Sequence, residues 1–142
     1  MSLKVELKPG ERLIIGNCVV TNADQRTRLF IDGKAPILRE KDILTPATAD
    51  TPAKRIYLAV QLMYIGDNVD ALTKDYFSLV NDIVTAAPST TALVDEINNE
   101  ILTGSLYKAL KVAKRLIQYE QDLFSNATAG SSGLSGRSPE NR

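Results

Sequence analysis

Apolar and polar positions alternate along the first third of the chain. Leu3, Val5 and Leu7 alternate with charged residues, a period of two that is typical of a half-buried β-strand. Four more short strands are predicted at residues 12–15, 18–21, 26–31 and 37–39. The turn pairs Pro9-Gly10, Gly16-Asn17 and Asp32-Gly33 separate them, and Pro36 places the last strand at an edge or bend. Residues 1–44 are therefore predicted to form a small antiparallel β meander or barrel.

From residue 52 onward the apolar spacing changes to steps of three and four, which indicates amphipathic helices. Residues 45–53, TPATADTPA, are predicted to be a linker, and Thr51-Pro52 is typical of a helix start. Helices are predicted at residues 52–65 and 69–86, from a cap at Ser89 or Thr90 to before Gly104, and from 105 to 124. Short loops between such helices favour an antiparallel bundle over residues 52–125. The fold class is predicted to be α+β.

The last residues differ in composition from the helices before them. Residues 126–142, NATAGSSGLSGRSPENR, are rich in glycine and serine and hold almost no large apolar side chain. A segment that can bury so little apolar surface does not offset its conformational entropy. We predict that this tail is disordered.

The composition limits both the cellular compartment of the protein and the kinds of catalytic or metal site that it can form. The 142 residues include one cysteine, Cys18, and no histidine. A lone cysteine cannot form an intrachain disulfide, and the N-terminus resembles neither a signal peptide nor a membrane span, so a cytoplasmic protein is predicted. The absence of histidine excludes Ser-His and Cys-His pairs and imidazole metal ligands. We expect no enzyme activity, cofactor or metal, and we interpret Cys18 as a small core residue.

Charge is unevenly distributed although the net charge is zero. Lys/Arg minus Asp/Glu is 10 − 7 = +3 for residues 1–55, 1 − 7 = −6 for 56–100 and 6 − 3 = +3 for 101–142. A basic front and back around an acidic middle can mark a nucleic-acid face. The alternative is a mixed solvated surface, with attraction between the blocks of one chain.

The strand at residues 26–31 presents two different faces. Thr27, Leu29 and Ile31 suit a core, while Arg26, Arg28 and Phe30 point to the other side. Guanidinium groups beside an aromatic ring are typical of single-stranded RNA binding, because they meet phosphates while the ring stacks on a base. The alternative is that Phe30 packs under the helices while the arginines pair with Asp24, Asp32 or Glu40.

Further basic residues complete the candidate RNA-binding set. In the β segment they are Arg12, Lys34, Arg39 and Lys41. A secondary basic strip lies on the fourth predicted helix, formed by Lys108, Lys111, Lys114 and Arg115. The strip could contact phosphates or dock on the acidic second helix of another subunit; the alternative is an ordinary solvated helix face.

Three segments of the chain resemble a known family. They read LKVELKPGERLIIGN, then DQRTRLFIDGKAPILREKDILTP, then TPAKRIYLAVQLMY. In this order they resemble the FlbT family, the flagellin post-transcriptional regulators of alpha-proteobacteria, over about residues 1–125. The resemblance implies association with the 5′ untranslated region of flagellin mRNA and control of its translation and decay, usually as a repressor. It carries no contact residues to particular positions of this chain.

The β segment also resembles the carbon storage regulator family of small RNA-binding proteins, more weakly. Gly10-Glu11, Ile15-Gly16, Ala35-Pro36 and Arg39-Glu40 match that family's pattern. Leu7 stands where the family has a basic residue, and the spacing between Ala35-Pro36 and Arg39 is shorter. This resemblance implies that Arg39, at a strand end, lies where RNA is gripped.

A second hypothesis belongs to a different class of function. The helical bundle could be a protein-interaction module that binds flagellin or an assembly factor such as FlaF, with indirect effects on mRNA. The two hypotheses differ in where binding energy lies, on the Arg26, Arg28 and Arg39 face or in the helical grooves. Short edge strands and oppositely charged helix faces also favour a homodimer.

Overall fold

A computed structural model describes the backbone of residues 2–66 and 69–134, with side chains described for 2–66 and 70–127. Five strands come first: β1 Ser2–Leu7, β2 Arg12–Ile15, β3 Cys18–Thr21, β4 Thr27–Asp32 and β5 Ile37–Arg39. Four helices follow: α1 Pro52–Ile65, α2 Val69–Ala86, α3 Thr91–Leu102 and α4 Leu106–Leu134. The predicted α+β class, an antiparallel β-part followed by helices, is confirmed.

The strands form two small antiparallel sheets. β1 pairs with β4, from Ser2 opposite Asp32 to Leu7 opposite Thr27. The other sheet has the order β3-β2-β5. Gly16 has a φ of 59° in the two-residue turn between β2 and β3, where the first central position of a type II′ turn favours glycine. Only β2 and β3 pair as chain neighbours among the described strands, so the connectivity is more complex than a simple meander.

The three-stranded sheet is the middle layer of the molecule. On one side Leu13 packs with Val5 and Leu7 of β1, all three at most 2 % exposed. On its other side Ile14 and Leu38 belong to the helical core. The alternation of side chains along β2 and β5 therefore serves two cores, with the β1–β4 sheet outside and the helices behind.

Most inward-facing helix residues follow the predicted stripes. Ile56, Val60 and Met63 of α1 are buried, and so are residues of α2, α3 and α4 that pack around them: Tyr76, Ile83, Ile97, Leu110 and Ala113. Phe124 continues the apolar spacing of α4 but is 55 % exposed. No helix within the described ranges is both long and apolar enough to cross a membrane.

One face of α1 is hydrogen-bonded to the segment around β5. The Tyr64 hydroxyl accepts from the Ile37 N–H at 3.1 Å and donates to the Ile37 carbonyl at 3.2 Å. The Gln61 amide makes the same paired contact with the backbone of Leu44 at 2.8 and 2.9 Å. One turn earlier, the Tyr57 hydroxyl donates to the Asp42 carbonyl at 2.5 Å. These side chains, at helical steps of three and four, fix the β-part on the helices.

The start of α1 is capped twice. The Thr51 side chain accepts from the Lys54 N–H at 3.2 Å, which confirms the predicted N-cap. Glu120 Oε2, from α4, accepts from the Ala53 N–H at 3.0 Å. Two free N–H groups of the first turn thus find acceptors, and Pro52 at the first position has no N–H to satisfy. The Glu120 carboxylate also lies at the positive end of the helix dipole.

The structure describes the predicted linker and part of the predicted tail. In residues 45–53, Thr45 and Thr48 form a hydrogen-bonded turn and Ala49 is only 4 % exposed. α4 continues to Leu134, past its predicted end at Phe124 and into the segment predicted to be disordered. The remainder of that predicted tail, residues 135–142, lies outside the described residues.

Candidate nucleic-acid interface

The outer face of the β1–β4 sheet exposes an aromatic ring between cations. Phe30 is 64 % exposed, and the register places Lys4 directly opposite it. Arg28 precedes it on the same face, while Leu29 and Ile31 turn inward. The predicted two-faced strand is confirmed, and the alternative that Phe30 packs under the helices is wrong.

Arg26 and Arg28 both face Glu6 of β1. Arg26 Nη1 lies 3.8 Å from Glu6 Oε2, and Arg28 Nη2 lies 4.0 Å from Glu6 Oε1. Both guanidinium side chains are more than half exposed. Pairs this long at the surface contribute little, because water and salt screen them. The arginines can therefore exchange Glu6 for a phosphate, and the predicted pairing with Asp24, Asp32 or Glu40 is wrong for these two residues.

Arg12 and Arg39 are held more firmly. Glu40 Oε1 accepts from both the Arg12 backbone N–H at 2.8 Å and Arg12 Nε at 3.2 Å. Arg39 Nη2 donates to the Glu6 carbonyl at 3.1 Å, which ties β5 to β1. Its Nε is buried without a hydrogen-bond partner among the described residues. Arg39 thus has a structural contact and an unused donor.

The secondary basic strip of α4 lies against the β-part. Lys114 forms an ion pair with Asp42, just after β5. Arg115 pairs with Glu96 of α3 at 2.8 Å. The Lys111 ammonium lies 5.0 Å from the centre of the Tyr107 ring, within the range of a cation–π contact. The structure therefore brings the strip to the β-part, two regions that are separate in the sequence.

Two clefts open between α4 and the β-part. Their volumes are about 570 and 500 Å³, and both are lined by Leu38, Asp42 and Tyr107. Lys111 lines the first, whereas Lys4 and Arg39 line the second. A third surface depression beside Tyr107 brings Lys34 near Lys108. We call this whole surface the Tyr107 groove.

Lys41 lies on another side of Asp42, in a smaller depression with Lys54 and Lys114. Of the predicted site residues, Lys34, Arg39 and the α4 strip thus adjoin the Tyr107 groove directly. Sequence reasoning missed Lys4 and Tyr107. Tyr107 and Lys111 lie one helical turn apart, and this spacing was a signal in the sequence that could have identified Tyr107.

Cys18 is exposed, so its interpretation as a core residue is wrong. It lies on the outer strand of the β3-β2-β5 sheet, next to the turn. Val20, on the same face of β3, is the half-buried residue of this strand, whereas Cys18 at the strand start is left exposed. Over the described parts of the chain, no group of three or more acidic or cysteine side chains is placed to hold a metal ion.

Comparison with known proteins gives one family. The model of the flagellar protein FlbT family matches residues 3–124. A probable flagellum biosynthesis repressor protein FlbT of Bradyrhizobium diazoefficiens is 62 % identical over 124 residues, which cover 87 % of this chain and 85 % of the relative. Proteins of the same description from Rhodopseudomonas palustris and Caulobacter vibrioides are 50 and 33 % identical, over 88 and 92 % of this chain and 99 and 94 % of theirs. No solved structure gives a significant match.

Proposed function

The chain belongs to the FlbT family, and on that premise we propose that it represses flagellin synthesis by binding the 5′ leader of flagellin mRNA. The repressor role comes from the names of its relatives. Binding at the leader would hinder translation and change the lifetime of the message. The proposal places this regulator in the cytoplasm, where the message is translated.

The observation that carries the proposal is the exposed Phe30 on the outer β1–β4 face. A phenylalanine that is 64 % exposed leaves much apolar surface in water. Its neighbours Lys4 and Arg28 supply positive charge on the same face. Single-stranded RNA has bases that stack on such rings and phosphates that meet such cations. Aromatic side chains on the open face of a β-sheet are a known surface for stacking splayed bases.

The direct test is fluorescence anisotropy with purified protein and the labelled flagellin leader RNA of the same organism. Phe30→Leu should weaken binding by about 1–3 kcal/mol, because a stacked base loses its aromatic partner. The double variant Arg26→Ala, Arg28→Ala should lower the slope of log affinity against log salt by about 0.7 for each phosphate that the protein no longer neutralises. Phe30→Leu should leave that slope unchanged.

Matched controls lie on the helices. Phe124 is an exposed phenylalanine of α4 at 55 %, so Phe124→Leu tests the removal of an exposed ring away from the β-part. Lys74 of α2 is exposed and has no ion pair among the described residues, so Lys74→Ala tests the removal of a free cation. Both variants should bind as the unchanged protein does.

If Phe30→Leu and the double arginine variant fold normally and bind the leader as tightly as the unchanged protein does, the β1–β4 face is refuted as the contact surface. Failure of the unchanged protein to bind the leader at low salt would refute direct RNA binding altogether. Binding of flagellin or FlaF in that case would transfer the function to the helical surfaces. The possible homodimer is tested on the same sample by light scattering with and without RNA.

A further inference from the structure

The Tyr107 ring is only half covered by the rest of the protein. The ring is 49 % exposed at the point where the clefts of the Tyr107 groove meet. Its neighbours are the Tyr64 ring, at 5.8 Å between centres with a 43° tilt, and the Lys111 ammonium. Tyr64 is fixed by its hydrogen bonds to Ile37. Tyr107 therefore presents a half-exposed ring on a rigid support, and the flexible Lys111 side chain over the ring is the group that moves aside for a stacked base.

Cations without ion pairs collect around this ring. Within the described residues, no ion pair is found for five cations that line the groove, namely Lys4, Lys34, Arg39, Lys108 and Lys111. The groove's acid is Asp42, which Lys114 already pairs. On the β-part, Arg12, Arg26 and Arg28 each have an acidic neighbour. The groove thus holds a concentrated positive charge that suits a polyanion.

We propose that the Tyr107 groove holds one unstacked nucleotide of a single-stranded RNA, with its base against the Tyr107 ring. This inference deepens the proposed function and rests on it. The clefts of about 570 and 500 Å³ are in the usual size range of small-ligand sites. The flanking phosphates meet Lys108 and Lys111, which lie one turn apart on the exposed side of α4. Arg39 is a further cation in the lining of the second cleft.

The groove adjoins the inner side of the β1–β4 sheet. Lys4 lies opposite Phe30 in the strand register and also lines the second cleft beside Arg39 and Tyr107. The same cleft is lined by Val5 and Ile31, which face inward, so a strand of RNA stacked on Phe30 reaches the groove by passing around the edge of the sheet. An extended single strand can bend in this way, whereas a stiff duplex cannot.

The test uses a labelled 12-nucleotide oligouridylate and an RNA hairpin whose stem contains the same number of nucleotides. Tyr107→Leu should weaken binding of the single strand about 5- to 100-fold, because base–aromatic stacking has that magnitude. Tyr107→Phe keeps the ring and should stay within about twofold of the unchanged protein. The double variant Lys108→Ala, Lys111→Ala should lower the salt slope by about 0.7 for each phosphate left without its lysine. The hairpin should be bound more weakly and should not distinguish these variants.

Crosslinking supplies an independent readout. Irradiation of an oligonucleotide containing 5-iodouridine should crosslink Tyr107 in the unchanged protein, and peptide mapping should find the adduct there. Lys74→Ala is the matched charge control and should have no effect. Because Lys108 and Lys111 are exposed, their double variant should fold even if a Tyr107 variant does not.

The outcomes separate the two proposals. Suppose that Tyr107→Leu and the double lysine variant bind the single strand normally while Phe30→Leu binds it weakly. The proposal that the Tyr107 groove binds RNA would then be overturned, and the β1–β4 face would remain the contact surface. Weak binding by the groove variants alone would support the groove and overturn Phe30 as the contact. If the unchanged protein bound neither the oligouridylate nor the leader, both proposals would fall, and an acidic protein segment would become the ligand to test.

Discussion

The β-part, residues 2–44, and the helical part, residues 52–134, hold themselves together by different means. Among the described residues, the space between the two sheets contains three fully buried side chains, Val5, Leu7 and Leu13. The helical core draws buried residues from all four helices and includes Leu38 of β5. Because apolar burial is the main stabilising contribution, the helices form the stable body and the β1–β4 sheet is its most weakly supported layer.

The helical part therefore supports the fold, while the β-part carries candidate binding groups. The β-part exposes Phe30, Arg26, Arg28 and Lys4 on a thin outer sheet. The middle sheet beneath it is fixed to α1 by paired hydrogen bonds at Ile37 and Leu44. Candidate binding groups thus lie on a layer with little core of its own, positioned by a helical part with a large one.

Leu13→Ala should have the largest effect on the difference in stability between the β-part and the helical part. Leu13 is fully buried in the small β core, and a buried leucine-to-alanine change costs about 2–5 kcal/mol. Native-state hydrogen exchange should show faster exchange of the β-part amides, while α1 and α4 keep most of their protection.

Two variants sharpen this result. Ile97→Ala, at a fully buried site in the helical core, should lower protection throughout the molecule. Val19→Ala, at a site 62 % exposed, should change stability by less than about 0.5 kcal/mol. A uniform decrease of protection in Leu13→Ala would mean that the β-part and the helical part unfold as one unit rather than separately.

Tyr64→Phe tests the attachment between the two parts. It removes one hydroxyl that both accepts from and donates to Ile37, and water can replace part of that interaction, so about 0.5–1.5 kcal/mol of stability should disappear. Urea unfolding measures the change. Tyr107→Phe is the matched control, because its hydroxyl has no hydrogen bond among the described residues. Equal stability of both variants would contradict an attachment at Ile37.

Cys18→Ser gives the smallest expected effect. The thiol is exposed on an outer strand, so the free energy of unfolding should change by less than about 0.5 kcal/mol. Iodoacetamide should alkylate Cys18 in the folded protein at nearly the rate found in urea. Strong protection of the thiol in the folded protein would show that β3 is covered, for instance by a second copy of the chain.

Local chemistry made most element boundaries predictable. Proline and glycine mark the ends of α1 and of β2 and β3, and these elements start and end where the sequence predicted. Turn residues and helix caps act over a few positions, so they can be read without knowledge of the fold. α4 instead continues past the predicted end at Phe124, through serine and glycine residues whose low helix propensity is a local signal for an end.

Contacts between distant segments could not be predicted in the same way. Nothing in the β1 sequence specifies β4 as its partner, since both strands have one apolar and one polar face. The pairing decided that Glu6 faces Arg26 and Arg28. It also placed Lys4 beside Phe30 and near Tyr107. The sequence therefore named individual basic residues, while their grouping into one surface required the fold.

The Glu120 cap on α1 has a consequence for the order in which a growing chain becomes ordered. Its carboxylate accepts from the Ala53 N–H across 67 positions of sequence, and its side chain is only 5 % exposed. While the ribosome is still making α4, the first turn of α1 lacks this acceptor and α4 cannot yet cover it. A nascent chain stopped before residue 120 therefore has all five strands but an unfinished support beneath them. α4 is synthesised after α1 and supplies part of its N-terminal cap. An early stop codon in α4 would therefore release a protein whose β-part is present but poorly supported.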